Sequence, residues 1–152
     1  MSHTVFRPAA LLLAVVVGLS VAVPSHAQNV GVGGQIGEPS GVTLKLHNPG
    51  GPSYDFLAAW SLESDVLFLN AHVLFENRIA AANIGRPLEW FVGPGGFIAL
   101  TDDATIGASG TIGLNLILTD QISIYARLTP RFALIPATEG DLGGGLGIRF
   151  FF

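Results

Sequence analysis

The chain has no cysteine, and only 12% of its 152 residues are charged. Without thiols there is no disulfide framework and no thiolate metal site. Charge at about half the usual quarter of residues also excludes disorder, because disordered chains are polar and charge-rich. The few basic residues do not cluster and the net charge is -4, so nucleic acid is not an expected partner. Twenty glycines exclude a coiled coil. After residue 28 no apolar run approaches the ~20 residues that a membrane helix needs. Yet 49% of the residues are hydrophobic. The apolar content is therefore spread along the chain rather than gathered into spans.

The start of the chain is different. Arg7 gives a positive leader, Ala9 to Val23 is almost wholly apolar, and Pro24-Ser25-His26-Ala27 follows. Ser25 and Ala27 stand at the -3 and -1 positions of a small-x-small cleavage site before Gln28. This is the pattern of a secretory signal peptide. A transmembrane anchor is the other reading, but the run is short for one and ends in a cleavage site. No cysteine follows the site, which excludes a lipoprotein. The expected organisation is a signal peptide over 1–27 and one domain over 28–152. That domain carries six basic residues (Lys45, Arg78, Arg86, Arg127, Arg131, Arg149) against eleven acidic ones, a net -5.

In this region alternation at period two recurs, as half-buried strands require. Val42, Leu44 and Leu46 alternate with Thr43, Lys45 and His47. The same pattern holds over Tyr54 to Leu62, Leu67 to Phe75, Thr111 to Leu118, Ile122 to Thr129 and Gly145 to Phe152. Val30 to Gly37 and a strand from Leu88 through Pro94 to Leu100 complete eight. Turn-forming residues separate them at Glu38-Pro39-Ser40-Gly41, Asn48 to Pro52, Glu63-Ser64-Asp65 and Thr119-Asp120-Gln121. Longer polar segments lie at Glu76 to Pro87, Thr101 to Thr105 and Ile135 to Gly140. Eight strands of ~10 residues with seven connections of ~6 need ~120 residues, which this domain has.

The two faces of the strands are unlike. The apolar face carries no Asp, Glu, Lys or Arg, whereas Lys45, Asp55, Glu89, Arg127 and Arg149 all fall on the other face. About one charge per strand among Gly, Ala, Ser, Thr and Asn is too little for a solvated exterior. It suits the cramped lumen of a narrow closed barrel. The Leu, Ile, Val, Trp and Phe face then meets lipid, and a closed barrel is the only sheet that can do so with every backbone group paired. Tyr54, Phe75, Trp90, Phe150 and Phe152 sit at strand ends, as aromatic girdles do. The alternative is an exported soluble β-barrel with the faces reversed, binding a small apolar ligand.

The last residues, Leu142-Gly143-Gly144-Gly145-Leu146-Gly147-Ile148-Arg149-Phe150-Phe151-Phe152, resemble the terminal strand of bacterial outer-membrane β-barrel proteins. Those chains end on an aromatic with apolar residues at alternate positions before it, here Leu146, Ile148, Phe150 and Phe152. Gly37-Glu38-Pro39-Ser40-Gly41-Val42 is similar to the first hairpin of small bacterial barrels. The whole plan resembles the eight-stranded barrel of the outer-membrane protein A type. The resemblance implies an outer-membrane location, contact with outer-membrane lipid, and reading of the terminal strand by the barrel-assembly machinery. One departure is that Glu76 to Pro87 and Thr101 to Thr105 fall at opposite ends of the strands. The usual members gather their long loops at one end. No peptidoglycan-binding segment follows Phe152, so wall anchoring is not expected.

Chemistry-bearing residues are sparse. His47 and His72 both point inward by parity, and neither has a third ligand at metal-binding spacing. Lipid A deacylase barrels pair Ser and His on the lipid-facing surface, which this parity forbids. Palmitoyltransferase barrels need an apolar slot in the lumen, where this chain puts charges. Gly31 to Gly34 and Gly143 to Gly145 lack the Lys-Ser/Thr and the helix start of a phosphate loop. The sequence therefore gives an all-β, eight-stranded, antiparallel, up-and-down transmembrane barrel after a cleaved signal peptide. The expectation is a monomer without cofactor, metal or catalytic residue, in a structural or surface-interaction role. Lys45, Asp55, Glu89, Arg127 and Arg149 would form a charge network plugging the lumen, because buried charges need partners. A narrow pore and a lipid-modifying enzyme are the lesser alternatives.

Overall fold

A computed structural model describes residues 29–61, 66–80 and 84–152. The signal peptide expected over 1–27 lies outside them, as does the expected turn at Glu63-Ser64-Asp65. Eight strands follow one another: β1 (Val30–Glu38), β2 (Gly41–Leu46), β3 (Ser53–Ser61), β4 (Val66–Arg78), β5 (Leu88–Leu100), β6 (Ala104–Ile117), β7 (Ile122–Ile135) and β8 (Glu139–Phe151). Each pairs antiparallel with the next, and β8 returns to β1 to close the barrel. Beyond β8 the backbone N–H of Phe152 still donates to the carbonyl of Val30 at 3.0 Å. The final aromatic is thus part of the closing seam.

Four strands are longer than their alternation suggests. β4 continues through Glu76 to Arg78, β6 begins at Ala104 rather than Thr111, β7 runs past Pro130 to Ile135, and β8 starts at Glu139. Pro130 lacks an N–H for the ladder, yet it remains paired with Leu142 on β8. Between Ile106 and Gly107 the register with β7 slips, so Ile106 faces Ile135 while Gly107 faces Ala133. This bulge breaks the sequence pattern without ending the strand.

The register fixes the barrel's shape. A path perpendicular to the strands leaves β1 at Val32 and passes Leu44, Phe56, Ala71, Gly96, Ala108 and Phe132 to reach Gly140 on β8. Gly144 faces Glu38 across the closing seam. Gly140 therefore lies level with position 42 of a continued β1, ten residues from the start. Eight strands with that stagger, spaced ~4.8 Å apart and rising ~3.3 Å per residue, tilt by about 41° around a radius of about 8 Å. Side chains can fill an interior of that width.

The two ends of the barrel segment, Asn29 and Phe152, lie at one end, the terminal end, where the strands are joined over 47–52, 79–87 and 118–121. At the other, the hairpin end, the connections are 39–40, 62–65, 101–103 and 136–138. The longer connections therefore lie at the terminal end. The burial pattern is the reverse of a soluble protein's: Arg149 is 1% exposed and Lys45 2%, whereas Leu146 is 59% and Leu128 55%.

Candidate functional site: the filled lumen

Inward positions meet in a narrow tube, so each large side chain must be matched by a small one. The register does this with glycine. Phe91 lies opposite Gly113, Phe97 opposite Gly107, Tyr125 opposite Gly147, Phe151 opposite Gly31 and His72 opposite Gly95. In every pair a Cβ on the glycine would run into the facing ring. The long cation Arg127 has glycine on both sides, Gly113 on β6 and Gly145 on β8. Rings and guanidinium groups thus lie over bare backbone.

At the middle of the lumen β3 presents Asp55, 1% exposed. Its Oδ1 accepts from Nη2 of Arg149 at 2.6 Å and its Oδ2 from Nη1 of Arg127. Arg127 Nε donates to Gln35 Oε1 at 2.7 Å, and the Tyr125 hydroxyl donates to the same oxygen at 3.2 Å. Both guanidinium groups lie over the Tyr125 ring, 3.9 Å away for Arg149 and 5.4 Å for Arg127. One carboxylate therefore holds two cations, drawn from β3, β7 and β8 across the tube. Two of their donors, Arg127 Nη2 and Arg149 Nε, have no hydrogen-bond partner among the described residues.

Toward the terminal end, Lys45 pairs with Glu76 Oε1. Lys45 is directly opposite Asp55 in the β2–β3 register but bonds across to β4 instead. Glu76 Oε2 accepts from Ser53 Oγ at 2.8 Å and lies 3.2 Å from His47 Nδ1. Ser53 Oγ is also 3.3 Å from that same nitrogen and accepts the N–H of Asn48 at 3.1 Å. Serine, histidine and carboxylate are adjacent here, but not as a nucleophile relay. A relay places the imidazole between the other two through both ring nitrogens, whereas one nitrogen faces both here and the serine gives its proton to the carboxylate. Among the described residues no group of three or more His, Cys, Asp or Glu is placed to hold a metal.

Toward the hairpin end the lumen turns apolar. Leu57, Ala59, Phe68 and Phe97 form a buried cluster, the two rings stacked at 5.5 Å between centroids. Arg131 lies 5.1 Å from the Phe68 ring and pairs with Asp141 on β8. Between this cap and the central charges, Ser109 Oγ joins Asn70 Oδ1 at 3.1 Å and His72 Nε2 at 3.0 Å.

Of the five charges singled out in the sequence, the fold joins Asp55, Arg127 and Arg149 into one cluster. Lys45 belongs to a separate one with Glu76. Glu89 stands apart: half-buried, it accepts from Asn115 Nδ2 at 3.2 Å, and no cation pairs with it among the described residues. A single five-membered network is therefore not what forms. Glu76, Arg131 and Asp141 are lumen charges that the alternation missed. Glu76 has the right parity with Leu74, but a carboxylate at the end of an apolar run reads as a loop start. Arg131 and Asp141 flank Pro130 and the glycine-rich start of β8, where the alternation fades. The terminal-strand residues Leu146, Ile148, Phe150 and Phe152 all point outward and are exposed.

No family model matches this chain, and no curated protein sequence does. Among solved structures, the crystal structure of the N-terminal β-barrel domain of Pseudomonas aeruginosa OprF is similar, with a TM-score of 0.52 and 15% sequence identity. The match covers 84% of this chain and 100% of that domain. The chain thus shares the fold of that barrel domain, a closed antiparallel barrel of eight strands.

Proposed function

We propose that this protein is a bacterial outer-membrane β-barrel whose lumen is sealed and whose role is structural rather than enzymatic. The observation that carries the reading is the inverted burial: charges fill the interior while leucine, isoleucine, tryptophan and phenylalanine cover the outside. A soluble barrel would hold the opposite faces. The dimensions agree. At a tilt of about 41° the thirteen residues of β5 rise about 32 Å along the axis, enough to cross an apolar band of about 25 Å. Tyr54, Phe75, Trp90, Phe150 and Phe152 gather toward the terminal end, as an interfacial girdle would.

A plug is favoured over a pore because three kinds of filling are stacked along the axis: the Lys45–Glu76 pair, the Asp55 cluster, and the stacked Phe68–Phe97 cap. A structural role is favoured over surface recognition by the short connections at the hairpin end. That end faces outward if the termini stay on the side from which the chain arrives.

The test is cell fractionation followed by electrophoresis with and without boiling, then conductance of the purified protein in planar bilayers. Recovery in the outer membrane, a heat-dependent mobility shift and no unitary conductance are expected. Release as a soluble periplasmic protein would refute the membrane reading, and steady conductance steps would refute the plug.

A further inference from the structure

Two prolines break the backbone ladder at the same height on the outer wall. Pro94 on β5, Gly110 on β6 and Pro130 on β7 form one row: Pro94 faces Gly110, and the register on either side of the gap sets Gly110 opposite Pro130. All three point outward, near the middle of their strands. Pro94 keeps its pairing with Gly110, so the N–H it lacks is the one that would point to β4. There the ladder stops at His72–Gly95 and resumes at Phe75–Val92. Pro130 keeps its pairing with Leu142, so its missing N–H would point to β6, where the ladder stops at Ser109–Arg131 and resumes at Ile112–Leu128. The carbonyls left without their ladder donors are those of Val73 and Gly110.

Nearby hydroxyls do not replace those donors. Thr111 Oγ1 is turned to the Leu128 carbonyl at 3.3 Å, and Ser109 Oγ is engaged with Asn70 and His72. Over the row lies a groove of about 510 Å³, walled by Phe75, Val92, Pro94, Ile112 and Pro130 with Gly110 in its floor. A Cβ on Gly110 would come no closer than 3.8 Å to anything. The floor is open to whatever lies outside. On the membrane reading, which this inference rests on, that is the hydrocarbon layer, where a backbone carbonyl without a donor is costly and no bulk water is present.

We infer that this groove is a binding site for a membrane lipid whose acyl chain carries a hydroxyl group at mid-bilayer depth. The apolar walls take the methylene chain, and the chain's hydroxyl donates to the carbonyl of Gly110, which lines the groove. An unsubstituted chain fills the same groove but leaves that carbonyl unpaired. The site therefore discriminates by one hydrogen bond.

The test uses the chain folded in phosphocholine micelles, carrying carbon-13 in its glycine and valine carbonyls. It is titrated with 12-hydroxystearate and, separately, with stearate. The Gly110 carbonyl resonance is expected to move downfield and saturate with 12-hydroxystearate and to stay in place with stearate, while that of Val73, which does not line the groove, stays in place with both. Pro130→Ala supplies an N–H to the Gly110 carbonyl and is expected to abolish its response. Pro94→Ala supplies an N–H to the Val73 carbonyl instead and is expected to leave the Gly110 response in place. Equal responses of Gly110 to the two acids, no response to either, or a hydroxyl-selective response that survives Pro130→Ala would overturn the site. The membrane reading is judged separately in the same samples by contacts between the Val92 and Ile112 methyls and the detergent chains. Their absence would overturn that reading, whatever the carbonyls do.

Discussion

Replacing Asp55 by Asn is expected to cost the barrel about 3–5 kcal/mol of folding stability, the range found when one partner of a buried ion pair is removed. The substitution preserves volume but removes the negative charge that Arg127 and Arg149 share. All three side chains are nearly inaccessible, 1–2% exposed, so bulk water cannot take over. Each charge-assisted bond contributes roughly 1.5–3 kcal/mol. The two are not additive because both guanidinium groups keep their contact with Tyr125. A loss of that size lowers the folding equilibrium constant by about two to four decades. The assay is urea unfolding in micelles, followed by fluorescence of Trp60 and Trp90, both on the outer wall. Arg149→Met in the Asp55→Asn background completes a double-mutant cycle. It should cost much less there than in the unaltered protein, since the arginine then has no carboxylate to lose. A cost for Asp55→Asn below about 1 kcal/mol, the range of solvent-exposed pairs, would refute the reasoning. It would mean that the lumen is wet and the plug is a water-filled passage.

Three further outcomes follow from the same geometry. Gly147→Ala should destabilise by about 1–3 kcal/mol, as overpacking does, because the three atoms nearest its new methyl all belong to the Tyr125 side chain. Most of that cost should disappear in a Tyr125→Ser background, measured by the same urea titration. Gly113→Ala should not be rescued by trimming Phe91, since the Ala126 carbonyl also occupies the space; unfolding of the double variant checks this. Phe152→Ala is expected to lower the folded, heat-shifting fraction in outer membranes several-fold if the terminal aromatic serves assembly, read by electrophoresis without boiling. An unchanged folded fraction would remove Phe152 from that role.

Much of this barrel is legible in the sequence because a closed sheet with two unlike faces writes period-two alternation into nearly every strand. Tyr54 to Trp60 and Leu67 to Phe75 state both strand and face. The Leu88–Leu100 strand shows through Pro94 because Trp90 and Ile98 keep the same parity on either side. The alternation fails where chemistry interrupts it: Glu76 ends an apolar run, Pro130 suggests a stop, and residues 104–110 contain too little large apolar surface to show a face. Pairing inside the lumen is less legible still. Lys45 and Asp55 are direct neighbours in register and opposite in charge, yet each bonds elsewhere. Which charges meet is set by the ten-residue stagger and by side-chain reach across the tube, and neither is local in sequence.

The rings laid over glycines also constrain how such a chain can change by descent. Tyr125 and Gly147 are twenty-two positions apart, yet they act as one steric unit. A methyl gained at Gly147 is tolerated only after the ring has already become smaller, so the order of the two substitutions matters. Phe151 and Gly31 form a second unit of this kind, joining the two ends of the barrel domain. Lineages of this barrel should therefore keep such pairs together or exchange them together, with the loss of the ring preceding the loss of the glycine.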